Sequence, residues 1–151
     1  MKKAWVWGAA TFAAAAAGSW FTQTGMHGWY QSLAKPSWNP PQWLFAPVWT
    51  FLYVSMAAAA WRVHRSGGSA ARPALVLFSI HLVLNAAWPA VFFGLGRFGA
   101  ALFVLAALLA AVVALVPMFR RIDRLAGDLL VPYAAWLSFA LVLNAAFWRL
   151  N

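Results

Sequence analysis

Trp49, Trp88 and Trp136 each lie several residues inside a long apolar stretch, too deep to serve only as anchors at a membrane surface. Helical spacing gathers other groups around them. Trp49 and Tyr53 are an i,i+4 pair, His81, Asn85 and Trp88 share one face, and Trp136, Ala140 and Asn144 form another stripe. Indole rings stack on flat apolar molecules, while a few N–H and amide groups give direction to the contact. The pattern suits a large, planar, hydrophobic ligand. Asn85 and Asn144 have an alternative use as interhelical hydrogen bonds, worth on the order of 1 kcal/mol each. His81 is counted with the candidate ligand-binding residues, although a lone histidine in a helix is more often hydrogen-bonded structure.

Other chemistry is excluded by what the chain lacks. It has no cysteine, which removes disulfides, thiolate catalysis, iron–sulfur clusters and cysteine-bound haem. Its two acidic residues, Asp123 and Asp128, both fall between apolar stretches, so no carboxylate relay or acid/base pair lies within a span. His27, His64 and His81 show no metal-ligand spacing. No Gly-rich phosphate loop or nucleophile–base motif is present. Neither a metal nor a required cofactor is expected.

These residues need a scaffold, and the bilayer dictates its kind. A spanning helix needs roughly 20 apolar residues. Five stretches qualify: Ala4–Phe21, Trp43–Trp61, Ala74–Phe93, Phe98–Phe119 and Leu129–Trp148. The chain is 65% hydrophobic, with a mean hydropathy of +0.74. Lipid offers no water to stray backbone groups, so only helices or a closed barrel can span it. Alanine runs such as Ala13–Ala17 and Ala57–Ala60, without strict alternation, select helices. The expectation is an all-α membrane protein: one domain over residues 1–151, a five-helix bundle with a ligand cavity under the loop joining helices 1 and 2. The first span follows Lys2 and Lys3 as a signal peptide would, but its apolar run is too long for one.

The formal charge of +9 reflects orientation and anionic lipid, not nucleic acid. Lys2, Lys3, Arg62, Arg65, Arg72, Arg120, Arg121 and Arg124 fall on one side; only Lys35, Arg97 and Arg149 fall on the other. The N-terminus is therefore expected inside and the C-terminus outside. Trp5, Trp7, Trp20, Trp43, Trp61 and Trp148 sit at span ends and fit an interfacial belt.

Loop 1, Thr22–Gln42, contains Pro36, Pro40 and Pro41 among Trp29 and Trp38. It reads either as a lid over the cavity or as an aromatic loop resting at headgroup level. Loop 2, Arg62–Pro73, is a flexible connector, and loop 3 near Gly94–Arg97 is a tight turn. In loop 4, Arg120–Asp128, the aspartates soften a basic surface. A homodimer is expected through small residues, either Ala86, Ala90 and Gly94 or Ala106, Ala110 and Ala114. No internal repeat is visible, which disfavours a transporter built from inverted repeats.

Three segments, KPSWNPPQWLFAPVWTFLY (Lys35–Tyr53), LNAAWPAVFFG (Leu84–Gly94) and PYAAWLSFALVLNAAFWRLN (Pro132–Asn151), resemble the translocator protein family, also called tryptophan-rich sensory proteins (TspO/MBR). The resemblance covers essentially the whole chain. It implies a five-helix bundle whose cavity opens toward loop 1 and binds porphyrins such as protoporphyrin IX and haem, benzodiazepine-type molecules and, in some members, cholesterol. Carried onto matching positions, the lining would be Trp38, Trp49, Tyr53, Asn85, Trp88, Trp136, Ala140 and Asn144. The run LVLNAAFWR has Phe147 and no tyrosine before Arg149, so the proposed sterol pattern fails. The resemblance leaves open a sensor or carrier for tetrapyrroles, a light-dependent porphyrin-degrading enzyme using Trp49 and Trp136, a lipid or sterol translocator, and a membrane scaffold.

Overall fold

The computed structural model describes residues 3–151, and every regular element within them is helical. In chain order these are α1 (Trp5–Met26), α2 (Gln42–Ser66), α3 (Ala71–Pro89), α4 (Phe98–Ile122), the short α5 (Arg124–Asp128) and α6 (Val131–Leu150). The expected five-helix bundle is formed by α1, α2, α3, α4 and α6. Lys2, part of the basic count, lies outside the described residues. Four segments, Gln42–Ser66, Ala71–Gly94, Phe98–Ile122 and Arg124–Leu150, are long and apolar enough to cross a membrane. The remaining helix, α1, has 22 residues and no charge, but its tryptophans, glycines, threonines and glutamine lower its hydropathy. It packs against α2 and α3 as a member of the bundle.

The first helix outruns the apolar stretch that announces it. It continues past Phe21 because its polar residues bond to their own helix. Thr22 Oγ1 donates to the Gly18 carbonyl (2.8 Å), and Thr24 Oγ1 reaches the carbonyls of Trp20 (3.1 Å) and Phe21 (3.0 Å). Loop 1 is correspondingly shorter and includes a 3-10 turn at Trp29–Ser32. Pro41, extended at the N-cap, starts α2 without wasting an N–H.

Helix α3 changes pitch at Pro89, which cannot donate to the preceding turn. Ala90–Gly94 follows as a π-turn, closed by the Leu95 N–H on the Ala90 carbonyl (3.0 Å). The first helix seats against this turn through glycine. A Cβ at Gly25 would stand 2.7 Å from Phe93 Cβ and 3.0 Å from the Phe93 carbonyl oxygen. One at Gly94 would stand 3.1 Å from the Phe21 ring. That contact corrects one expectation: the Ala86–Ala90–Gly94 stripe is partly consumed inside the chain by α1. Ala106, Ala110 and Ala114 on α4 stay exposed.

Away from loop 1 the core is close-packed. Met56, Ala59, Ala60 and Val63 of α2 meet Phe78 of α3, Val112, Leu115 and Phe119 of α4, and Tyr133 and Leu137 of α6, all fully buried. Lipid tails are as apolar as these side chains, so close packing rather than escape from water holds the helices together. Trp7 belongs to this core and not to the belt. Its indole N–H donates to His64 Nδ1 (3.0 Å) and its ring stands edge-on to Phe78, whereas Trp5, Trp20, Trp43, Trp61 and Trp148 are exposed as expected.

The loop 4 aspartates have structural duties. Asp123 accepts the Ala126 N–H (3.1 Å), capping α5, and pairs with Arg62 of α2 (2.8 Å). The hydrogen bond from Arg62 holds its carboxyl below the ordinary range. Asp128 pairs with Arg120 at 2.7 Å.

The glycine seat is testable by contrast. Gly→Ala within a helix gains about 1 kcal/mol of propensity wherever it is made. At Gly8, where a Cβ meets nothing within 4 Å, Gly8→Ala should hold or raise the unfolding temperature in detergent. At Gly25, overpacking of roughly 1–3 kcal/mol should outweigh that gain and lower it. Equal stabilisation by both would mean that α1 does not sit on the π-turn.

Candidate functional site

The loop 1 half of the bundle encloses a cavity of about 510 Å³. Its walls come from four helices and the π-turn: Ala15, Gly18, Ser19 and Thr22 of α1, Phe45, Trp49 and Tyr53 of α2, Asn85 and Trp88 of α3, Phe92 of the π-turn, and Trp136, Ala140, Leu143 and Asn144 of α6. Helix α4 contributes none. Among the described residues, no charged one lines it. The size and the mixture of aromatic wall with few polar groups match sites for drug-sized ligands.

Two amides set the shape of this cavity. Asn85 Oδ1 accepts from the Tyr53 hydroxyl (2.7 Å), and Asn85 Nδ2 donates to the Tyr133 hydroxyl (2.7 Å). This bridge joins α2, α3 and α6 and floors the cavity. Asn144 Oδ1 accepts from the Trp88 indole N–H (2.9 Å), while its Nδ2 donates to the Phe98 carbonyl (2.9 Å). That second bridge joins α3, α6 and the start of α4, and it fixes the Trp88 ring. Each asparagine makes interhelical hydrogen bonds and also lines the cavity. An amide whose donor and acceptor are both engaged carries little further pull on a ligand, so the free surface is chiefly aromatic.

Trp49, Tyr53, Asn85, Trp88, Trp136, Ala140 and Asn144 come together on one cavity, and two other candidates do not. Trp38 is 46% exposed and lies edge-on to Phe139 at 6.0 Å, behind the wall, because the Pro-rich chain carries it over the rim. His81 is fully buried one turn deeper. Its Nδ1 lies 2.5 Å from the Phe78 carbonyl, its Nε2 faces Met56 Sδ at 3.4 Å, and its ring meets Tyr133 edge-on at 5.7 Å. Its contacts are those of a core residue.

Some of the wall is not among the candidates read from the sequence. Phe45 extends the Trp49–Tyr53 face by another i−4 step, and Leu143 extends the Trp136–Ala140 stripe; both follow from helical spacing. Phe45 and Trp136 meet edge-on at 6.0 Å. The small residues of α1 give only a weak signal, since alanine and glycine equally suit a close helix contact. Tyr30 had no signal at all. It is buried at the loop end of the cavity, against Phe93 and Phe147 at 5.6 Å each.

Loop 1 is held down as an ordered cover. Lys35 Nζ donates to the carbonyls of Tyr30 (2.9 Å), Gln31 (3.1 Å) and Leu33 (3.3 Å), and lies 4.9 Å from the Tyr30 ring centre. Burial raises the Tyr30 phenol above its ordinary pKa, so the ring caps the cavity uncharged. Asn151 clasps the loop from α6: its Oδ1 accepts the Ala34 N–H and its Nδ2 donates to the Ala34 carbonyl, both at 3.0 Å. The cavity is open on its side instead. Phe12 of α1 and Ala46, Thr50 and Val54 of α2 line it while also being exposed, which marks a seam between these two helices.

Comparison with known proteins agrees with this architecture. The TspO/MBR family model matches residues 7–149. The chain is 42% identical over 137 residues to the tryptophan-rich protein TspO of Chlorobaculum tepidum, covering 89% of this chain and 87% of that protein. It is 40% identical over 126 residues to the translocator protein of Homo sapiens, covering 82% and 75%. It is 42% identical over 123 residues to the tryptophan-rich sensory protein of Cereibacter sphaeroides, covering 82% and 77%.

The Asn85 bridge predicts coupling. Interhelical hydrogen bonds in membranes average about 0.6 kcal/mol and reach about 1.7. Tyr53→Phe should destabilise the parent protein by an amount in that range and have almost no effect in an Asn85→Ala background. Strictly additive unfolding free energies would show that the bridge contributes nothing.

Proposed function

Because the chain belongs to the TspO/MBR family of membrane proteins, we propose that it binds porphyrins or similar flat hydrophobic molecules in the cavity beneath loop 1. In this reading it serves as a sensor or carrier in tetrapyrrole handling, with porphyrin or haem as ligand and no required cofactor. The observation that carries the proposal is the uncharged cavity of about 510 Å³ into which Trp49, Trp88 and Trp136 converge from three helices. Such a wall favours a flat ring system by area and stacking. It offers no cation to a carboxylate, so any acidic substituent would stay at the rim, near exposed Gln23 and Gln42. The seam between α1 and α2 lets a bilayer-dissolved ligand enter sideways while loop 1 stays in place.

The same proposal sets the N-terminus inside, the C-terminus outside, and the chain as a homodimer meeting through the exposed small residues of α4. A cysteine placed at Ser69 should resist labelling from outside intact cells, and the protein should be a dimer in lipid nanodiscs. Outside labelling would reverse the orientation, and a monomer would remove the pairing.

Binding is tested by titrating purified protein with protoporphyrin IX, first in darkness and then under illumination. One aromatic stacking contact adds about 0.5–1.5 kcal/mol, so Trp49→Phe or Trp136→Phe should weaken binding roughly two- to twelve-fold. Ala140→Thr should crowd the cavity and hurt smaller ligands less, and the belt variant Trp5→Phe should bind like the parent. Unchanged binding by all of them would place the ligand outside this cavity. Return of intact porphyrin after illumination is the result expected of a carrier; a spectrally distinct product would instead assign the degrading activity and make Trp49 and Trp136 its candidate reactive groups.

A further inference from the structure

The bundle end opposite loop 1 is rich in arginine, with only Asp123 and Asp128 as acids. Orientation in the membrane accounts for the number of these cations but not for their arrangement. A recess of about 350 Å³ opens there, lined by Trp61, Arg62, Arg65, Ser66 and Asp123. The end of α2 supplies all of these but Asp123, because Trp61, Arg62 and Arg65 fall at i, i+1 and i+4 around its last turns.

The recess is organised for an anion. Arg65 lies over the Trp61 ring, 4.8 Å from its centre, which holds an otherwise mobile guanidinium against an interfacial aromatic. Among the described residues Arg65 has no carboxylate partner. The carboxylate that could repel an incoming anion is occupied: Asp123 Oδ2 is 2.8 Å from Arg62 Nη2, and its Oδ1 takes the Ala126 N–H at 3.1 Å. That pairing also orients the Arg62 guanidinium, whose Nε is buried without a hydrogen-bond partner. Buried donors are seldom left unpaired. The Ser66 hydroxyl, at the rim, makes no hydrogen bond among the described residues. A fixed guanidinium edge beside a second stacked one, with a hydroxyl nearby, is the donor set that recognises a phosphate.

We propose that this recess binds a phosphate group, in the membrane setting that of an anionic phospholipid headgroup, with Arg65 and Arg62 on the phosphate oxygens and Trp61 at the glycerol level. The site is separate from the cavity under loop 1 and does not depend on what that cavity holds. It would make the protein selective for anionic lipid at one defined position, beyond the diffuse attraction of a basic surface.

The test uses the full-length protein in detergent micelles, with native mass spectrometry counting retained lipid. Phosphatidylglycerol and phosphatidylcholine of identical acyl chains are offered together. The parent should retain phosphatidylglycerol in preference. Arg65→Gln should lower that preference about fivefold, roughly 1 kcal/mol for one arginine at an anionic surface. Arg121→Gln, exposed at the same end but outside the recess, should leave it nearly intact. Arg65→Lys, which keeps the charge but loses the stacked fork, should fall between them. Adding inorganic phosphate separates the sources: failure to displace the lipid assigns a headgroup site, whereas displacement that Arg65→Gln abolishes assigns a free-phosphate site with the same chemistry. Equal loss in Arg65→Gln and Arg121→Gln, or no preference in the parent, would overturn the proposal.

Discussion

Hydrocarbon cannot hydrogen-bond, and the Tyr53–Asn85–Tyr133 bridge answers that constraint for the whole ligand-facing half of the molecule. An amide at this depth must find protein partners for both its ends. Asn85 finds one on α2 and one on α6, and so holds three helices at the separation their hydroxyl-bearing rings require. Asn144 repeats the device a few residues nearer loop 1, spending one end on the Trp88 indole and the other on the Phe98 carbonyl. The two bridges keep bulky rings between helices that would otherwise close on one another. The cavity is the space left when polar groups have been satisfied and aromatic side chains have set the spacing.

The opposite half follows another rule. Alanines at 59, 60 and 74 are wholly buried, and backbones approach where side chains are small. One chain thus contains a closely packed half and a spacious half walled by rings. The π-turn after Pro89 lies in the spacious half and brings Phe92 and Phe93 under Tyr30, so the same irregularity that seats α1 also helps to wall the cavity. Loop 1 is secured across Tyr30–Lys35, by Lys35 on its own carbonyls and by Asn151 on Ala34. A cover tied in this way leaves the α1–α2 seam as the more accessible side.

Much of this was legible in the sequence, for physical reasons. Spans are set by hydrocarbon thickness, so apolar run length found all five helices, and it erred mainly where Thr22 and Thr24 hide their hydroxyls on helix carbonyls. Interior tryptophans pointed to the cavity because belt anchoring could not explain Trp49, Trp88 or Trp136. Spacing placed Trp136, Ala140 and Asn144 on one face, and they share it. The failures are tertiary. Nothing local tells whether His81 points to the cavity or into the core one turn below, or whether Trp7 rests in the interface or donates to His64 on another helix. Trp38 misled because a Pro-rich loop gives no periodicity from which to read direction. The small residues of α1 suit both a close contact and a cavity wall, and α1 provides both, with Gly25 on Phe93 and Ala15 on the cavity.

The central claim is that a flat ligand sits among the interior tryptophans and not on the membrane belt. Indole N–H resonances report this directly, because each tryptophan gives one signal in a ¹H–¹⁵N spectrum of labelled protein and ring-current shifts from a bound porphyrin fall steeply, as the inverse cube of distance. On addition of protoporphyrin IX, the signals of Trp49, Trp88 and Trp136 should shift or broaden while those of Trp5, Trp20 and Trp148 hold still. Perturbation confined to Trp5, Trp20 and Trp148, with the interior three unmoved, would contradict the account.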